Sequence, residues 1–293
     1  CKLRTINMAN GKIGIIGGSG LYNIEGITDV ENIKVETPFG DPSDLFITGK
    51  LEGKDVVFLP RHGKTHSILP SELNFRANIY GMKKLGVERI IAVSAVGSMK
   101  EEIKPLDIVI PDQFIDRTQG RIGTFFGDGI VGHVSLADPV CSVLADTLHK
   151  AANSAGATVH KGGTYVCIEG PQFSTRAESL TYRQWDVSII GMTNLQEARL
   201  AREAEICYST LALSTDYDCW HEGEEDVTAE IVLQNIMKNV DTAKAIIKHA
   251  LPTIEGERGC GCANASSNAI VTHKDNIPSE VKERLSLIFG KYL

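Results

Sequence analysis

Ser214-Thr215-Asp216-Tyr217-Asp218-Cys219-Trp220 closes the run Ile206-Cys207-Tyr208-Ser209-Thr210-Leu211-Ala212-Leu213. The run consists of small, β-branched and apolar residues, which predicts a buried strand. Acids that end such a strand stand where open α/β sheets bind ligands, outside the carboxyl ends of the strands. Two carboxylates at positions i and i+2 of an extended segment project to the same side. Their repulsion raises at least one pKa, which suits a carboxylic acid that donates a proton near neutral pH. A solvated pair at a loop start, or an N-cap for the next helix, explains this fragment equally well.

Other apolar runs end in comparable residues. Residues 12–16 read as a strand running into Gly17-Gly18-Ser19-Gly20. G-x-G-x-x-G read from Gly18 fails at Asn23, and the Gly-Lys-Ser/Thr of a P-loop is absent, so no nucleotide fingerprint is met. What remains is a turn whose N–H groups and Ser19 hydroxyl can form an anion nest, or a turn that simply needs positive φ. Residues 56–60 form a strand ending in Arg61-His62-Gly63, where Arg offers a planar fork of donors for phosphate, His a further donor and Gly an open backbone. A surface Arg beside a core-capping His is the plainer reading. Residues 89–95 lead into Ser94-Ala95-Val96-Gly97-Ser98, and residues 186–190 into Gly191-Met192-Thr193.

Further strands are expected over 106–110 and 163–168. Helices are expected from Pro70-Ser71-Glu72 with Ser71 as N-cap, from Asp138-Pro139 to about Gly156, over 197–205, from Thr228 to Leu251, and over 281–289. Strands alternating with helices and no composition break predict α/β architecture: a single domain with a mixed, largely parallel central sheet flanked by helices. Residues 8–255 form the catalytic unit, and 256–293 a tail with Gly259-Cys260-Gly261-Cys262 and a short helix, packed on the same domain.

The 293 residues, 42% hydrophobic and 23% charged, suit a soluble globular enzyme. A formal charge of −7 without a Lys/Arg run argues against a nucleic-acid partner. No apolar run approaches the ~20 residues of a membrane span. The first residues lack an apolar signal region, and seven cysteines are an odd count, so reduced thiols and a cytoplasmic setting are expected.

Six stretches in order carry a family resemblance: Gly14-Ile-Ile-Gly-Gly-Ser-Gly-Leu21, Thr37-Pro-Phe-Gly40, Arg61-His-Gly63, Glu169-Gly-Pro-Gln-Phe-Ser-Thr-Arg-Ala-Glu178, Gly191-Met-Thr193 and Thr215-Asp-Tyr-Asp-Cys-Trp220. Together they resemble the 5′-methylthioadenosine phosphorylases of the trimeric purine nucleoside phosphorylase group. The resemblance implies cleavage of 5′-methylthioadenosine by phosphate, with a broader purine nucleoside phosphorylase as the alternative. It implies phosphate binding by Ser19, Arg61, His62, Ser94, Ala95 (through its N–H) and Thr193. Met192 would face the ribose, and Phe173 and Ser174 the sugar and its 5′ group. Asp216 and Asp218, with Tyr217 between them, would recognise the purine, Asp216 as the N7 acid and Asp218 on the N6 side. His133 would reach a neighbouring subunit's 5′ group in a trimer or dimer of trimers, and Ala229 would set 5′ tolerance. Phosphate is a co-substrate, so neither metal nor organic cofactor is expected.

The cysteines invite a second reading as a metal binder. Cys260-x-Cys262 alone lacks the second pair of ligands that a closed zinc site needs. A disulfide between these two, or two free tail thiols, remain the alternatives. Cys141, Cys167 and Cys207 are expected as buried small hydrophobes.

Overall fold

A computed structural model describes residues 11–18, 20–21, 24–221 and 229–293. The described strands form one mixed sheet, and six of its ten pairings are parallel. Strand β1 (Lys12–Gly17) lies in parallel between β4 (Lys54–Pro60) and β5 (Val87–Ser98). Two antiparallel strands, β2 (Thr28–Ile33) and β3 (Phe46–Leu51), extend the sheet beyond β4.

The sheet forks at the end of β5. Most of that strand pairs in parallel with β11 (Cys207–Asp216), whereas its last residues pair antiparallel with β10 (Ile189–Gly191). Strands β9 (Thr164–Ile168) and β7 (Gln113–Arg117) continue from β10. The short strands β6 (Ile108–Ile110) and β8 (Val159–Lys161) continue from β11. Gly97 sits at the fork, opposite both Ile190 and Asp216. A Cβ there would stand 2.8 Å from Asp216 Oδ1 and 3.0 Å from Ile190 Cγ2, so the junction accepts only glycine without rearranging.

Helices cover both faces, and the period-two alternation of the strands decides which face each side chain reaches. Ile91 and Val93 of β5 join one cluster with Leu144 and Leu148 of α2 (Ser142–Ser154) and Ile246 and Ile247 of α5 (Ala229–Ala250). Ile90 and Ala92 join the other, with Ile79 and Met82 of α1 (Phe75–Lys84) and Ala198 and Ala201 of α4 (Asn194–Glu203). The tail enters both clusters: Cys262 the first, and Val281, Leu285 and Phe289 of α6 (Ser279–Phe289) the second.

Several local expectations differ from the structure for identifiable reasons. Pro70–Glu72 is a single 3₁₀ turn, and α1 is capped instead by Asn74, whose side chain accepts the Ala77 N–H at 3.1 Å. Asp138-Pro139 starts no helix; α2 begins at Ser142 after Cys141. Strand β2 escaped notice because its polar residues are almost all exposed and carry no apolar alternation. Helix α3 (Arg176–Gln184) carried a legible signal, since Thr175 and Glu178 form a capping box.

Glu203 near the end of α4 is buried and accepts hydrogen bonds from Phe125 N–H at 2.6 Å and Thr124 Oγ at 2.7 Å. Burial pushes its carboxyl up from 4.5 to about 7. The stability linked to this raised value is present below the ordinary pKa and lost as pH rises through the folded one. Relative to Glu203→Gln, the native chain should therefore lose ~2–3 kcal/mol between about pH 4.5 and pH 7.5. Denaturant titrations of both chains across that range check this, and parallel pH profiles would contradict it.

Candidate active site

Strands β1, β4, β5 and β11 run parallel, so their carboxyl ends gather at one edge of the sheet. A cavity of about 430 Å³ opens there. Its wall includes Arg61, His62, Ser94, Ala95, Phe173, Met192, Thr193, Asp216 and Asp218, drawn from five separated stretches of sequence. Ser174, Tyr217 and His133 are outside that wall. Ser19 and the side chain of Ala229 lie outside the described residues.

Arg61 is 2% exposed and Glu197 1%. Arg61 Nε donates to Glu197 Oε1 at 2.5 Å and Nη2 to Oε2 at 3.1 Å, a bidentate pair. Nη1 donates to Val93 O at 2.8 Å, and Nη2 also to Ile16 O at 3.4 Å. Burial opposes the charge on Arg61, but Glu197 outweighs it and holds the guanidinium above its ordinary value. Tyr208 donates its hydroxyl to Glu197 Oε2 at 2.9 Å and receives Asn194 Nδ2 at 2.7 Å. Most donors of Arg61 are thus already occupied, and it is not an open fork on a surface.

His62 Nδ1 is 2.8 Å from Ile68 O. A carbonyl only accepts, so Nδ1 carries the proton. Burial and then the charge of Arg61 push this imidazole down to about 4. His62 is therefore neutral at pH 7 and offers Nε2 as an acceptor, not the additional donor expected from sequence. Gly63 adopts φ +74° in a tight turn in which its N–H donates to Pro60 O, so its freedom serves the turn.

On the opposite lip, Thr193 is the N-cap of α4, yet its side chain makes no cap bond. Thr193 and the buried Ser94 both line the cavity, so the start of α4 borders it. A helix N-terminus with spare N–H groups is an anion site.

The acid pair is built differently from the expected alternation. Strand β11 ends at Asp216, and Asp218 takes φ +53° in the following turn. Both acids line the cavity because the chain turns, not because it stays extended. Asp216 Oδ1 accepts the Asp218 N–H at 2.8 Å and Oδ2 accepts Thr215 Oγ at 2.6 Å. Burial raises both carboxyls above the ordinary value; nearby hydroxyl and N–H donors oppose the rise. Asn235 and Asn239 of α5 donate to Thr215 O at 2.7 Å and Ser214 O at 3.0 Å, fixing the strand end beneath the acids. The Tyr217 ring instead stacks on His221, at 4.6 Å between centroids.

The rest of the wall is apolar. Met192 packs where Gly170, with φ +67°, leaves room; a Cβ on Gly170 would meet Met192 Sδ at 2.5 Å. Ile236 and Val240 of α5, together with Leu69 and Phe173, complete this side.

With this geometry in view, comparison with known proteins is direct. Residues 12–252 match the model of the phosphorylase superfamily. An S-methyl-5′-thioadenosine phosphorylase of Geobacter sulfurreducens is 63% identical over 96% of this chain and 99% of its own. That of Koribacter versatilis is 56% identical over 96% of each. The chain belongs to the S-methyl-5′-thioadenosine phosphorylases of the phosphorylase superfamily. A crystal structure of a methylthioadenosine phosphorylase from an antarctic soil metagenomic library superposes with a TM-score of 0.91 at 52% identity, covering 96% of this chain and 99% of that one. The methylthioadenosine phosphorylase from Schistosoma mansoni in complex with adenine gives 0.82 at 37% identity, covering 87% and 96%.

Within this phosphorylase fold, two structural residues went unread in the sequence. Glu197 falls inside an expected helix, where an acid has no reason to be singled out. Arg121 lies in the glycine-rich loop over 120–132; its guanidinium donates to Met192 O, Glu169 O and Glu169 Oε1 and so braces both motifs. Replacing Glu197 by Ala leaves Arg61 buried and unpaired, which should cost ~3–5 kcal/mol of stability. Glu197→Gln, which keeps one acceptor, should cost less. Urea denaturation of the two variants measures this; equal, small losses would show that the pair does not hold the site.

Proposed function

We infer that the chain catalyses phosphorolysis of S-methyl-5′-thioadenosine to adenine and 5-methylthioribose-1-phosphate. The observation that carries this reading is a single cavity whose wall brings together hydroxyls beside a helix N-terminus, two raised carboxyls and apolar side chains. Phosphate would sit against Ser94 Oγ, the Ala95 N–H, Thr193 and the remaining Arg61 Nη1 donor, with Ser19 of the glycine turn. Neutral His62 suits a phosphate that still carries a proton, because Nε2 can accept it.

The chemistry follows from where charge develops. As the C1′–N9 bond lengthens, the ribose gains positive charge and the purine negative charge. A phosphate oxygen forms the new bond to C1′, while the N9 bonding pair leaves with adenine. Protonation of N7 by Asp216 would neutralise the departing base, and burial, which raises its pKa, favours the protonated form. Asp218 would accept the N6 amino group. Met192 would lie along the ribose, and Phe173, Ser174 and the position of Ala229 would face the 5′ side. No metal or organic cofactor enters this mechanism, and preorganised donors supply the electrostatics.

A substrate panel tests the reading: methylthioadenosine, adenosine, methylthioinosine and inosine, each with and without phosphate. Methylthioadenosine should have the highest kcat/KM, and omission of phosphate should abolish turnover. Turnover in water alone would replace the reading with hydrolysis, and equal rates on inosine with a broader phosphorylase. In Asp216→Asn, the adenosine-to-inosine preference should fall by roughly 10- to 100-fold, the worth of one charge-assisted hydrogen bond. Unchanged selectivity would remove Asp216 from base recognition.

We further propose a trimer, or a dimer of trimers, working in the cytoplasm. His133 is exposed outside its own chain's cavity, with its N–H bonded to Ala269 O at 2.8 Å, a placement that suits reaching a neighbour. Light scattering should give three or six chains, and His133→Ala should raise KM for 5′-substituted nucleosides while leaving assembly intact. A monomer with full activity would refute this.

A further inference from the structure

Far from the cavity, at the other end of β11, four cysteines converge. Cys207 is the first residue of that strand, and Cys141 caps α2. Cys260 and Cys262 belong to the tail. Cys141 N–H donates to Tyr208 O at 2.9 Å, so the helix start is pinned to the strand start. The four Sγ atoms all lie within 4.8 Å of one another, and three of the residues are buried. Cys207 and Cys260 approach most closely among the recorded contacts, at 3.4 Å between sulfurs.

Tetrahedral zinc with Zn–S bonds of about 2.3 Å separates its ligand sulfurs by roughly 3.8 Å. The observed spacing brackets that edge, so a metal at the centre needs only small side-chain shifts. Four mutually close thiols also differ from two separate pairs. Closing Cys260 on Cys262 alone would make a small strained ring across one intervening glycine. Sequence considered by itself offered Cys-x-Cys without a second ligand pair; the fold supplies it from positions 141 and 207.

We propose that Cys141, Cys207, Cys260 and Cys262 bind one structural zinc ion as a closed four-thiolate site. Thiolates bound to zinc leave a net negative centre, and one guanidinium approaches it, while the adjoining cavity carries Glu255 and Glu257 as well as arginines. Arg202 Nη1 stands 3.9 Å from Cys262 Sγ. Arg89 and Arg258 line an adjoining cavity of about 280 Å³ together with Cys141, Cys207 and Cys260. That cavity also offers a route of entry for the ion. The ion would staple the tail and α2 to the foot of β11. Asp216 stands at the head of the same strand, nine residues and roughly 30 Å away at ~3.3 Å per residue. Its role is therefore cohesion and not chemistry at the cavity.

Elemental analysis of the whole protein, purified under reducing conditions without chelator, should find one zinc per chain. Protein stripped with a thiol reagent, reduced and given zinc alone should regain it, and cobalt in its place should show thiolate-to-metal charge-transfer absorption. Cys260→Ser with Cys262→Ser should lose the zinc and lower Tm while leaving KM for nucleoside unchanged. Should that variant fail to fold, the cobalt spectrum of the native chain still decides the matter. Stoichiometric iron, no metal after reconstitution, or two disulfides in protein handled without air would each overturn the assignment.

Discussion

The buried pair of Arg61 and Glu197 holds the cavity edge of the sheet together. Arg61 follows β4, its carbonyl partners belong to β1 and β5, Glu197 comes from α4, and Tyr208 of β11 donates to the same carboxylate. One charge pair thus joins four parallel strands and a helix immediately below the cavity. Such a pair is worth retaining only when its hydrogen bonds are complete, because desolvating two charges otherwise outweighs their attraction. Here both carboxylate oxygens and most guanidinium donors have partners. The neighbouring strand ends are consequently fixed with respect to one another, which is what a multi-point site requires.

The sequence displayed the parts of this arrangement that depend on local chemistry. Apolar runs gave the buried strands, and residues at their ends line the cavity at one edge of the sheet. Arg61, Ser94, Thr193, Asp216 and Asp218 are legible in the sequence as a group, since each closes an apolar run. Glu197 could not, because its significance is a partner 136 residues away. Polarity was misleading at β2, where exposure erases the alternation. Ser71 and Asp138 were plausible caps, but Asn74 and Cys141 took those places once the helices packed.

The same limit explains His62 and the cysteines. A histidine beside an arginine looks like a second donor, yet burial and the neighbouring guanidinium keep it neutral, and the 2.8 Å bond to Ile68 O places its one proton on Nδ1. A Cys-x-Cys pair looks incomplete until the chain returns to it from positions 141 and 207. In each case the residue type was visible, but its state depends on how the folded chain surrounds it.

Charge neutralisation at Arg61 also bears on the acids across the cavity. An unpaired guanidinium in this space would favour ionised carboxylates and depress the pKa of Asp216 and Asp218. Glu197 cancels that influence, while His62 adds no positive charge at neutral pH. The cavity can then attract phosphate through hydroxyls, N–H groups and the α4 terminus, which are directional and short-ranged, and still leave burial free to raise the two acids. The proposed reaction needs both conditions together: an anion held at the sugar and a proton retained at the base. A site that bound phosphate with bare cations would meet the first at the expense of the second, and the Arg61–Glu197 pair is what allows one cavity to satisfy both.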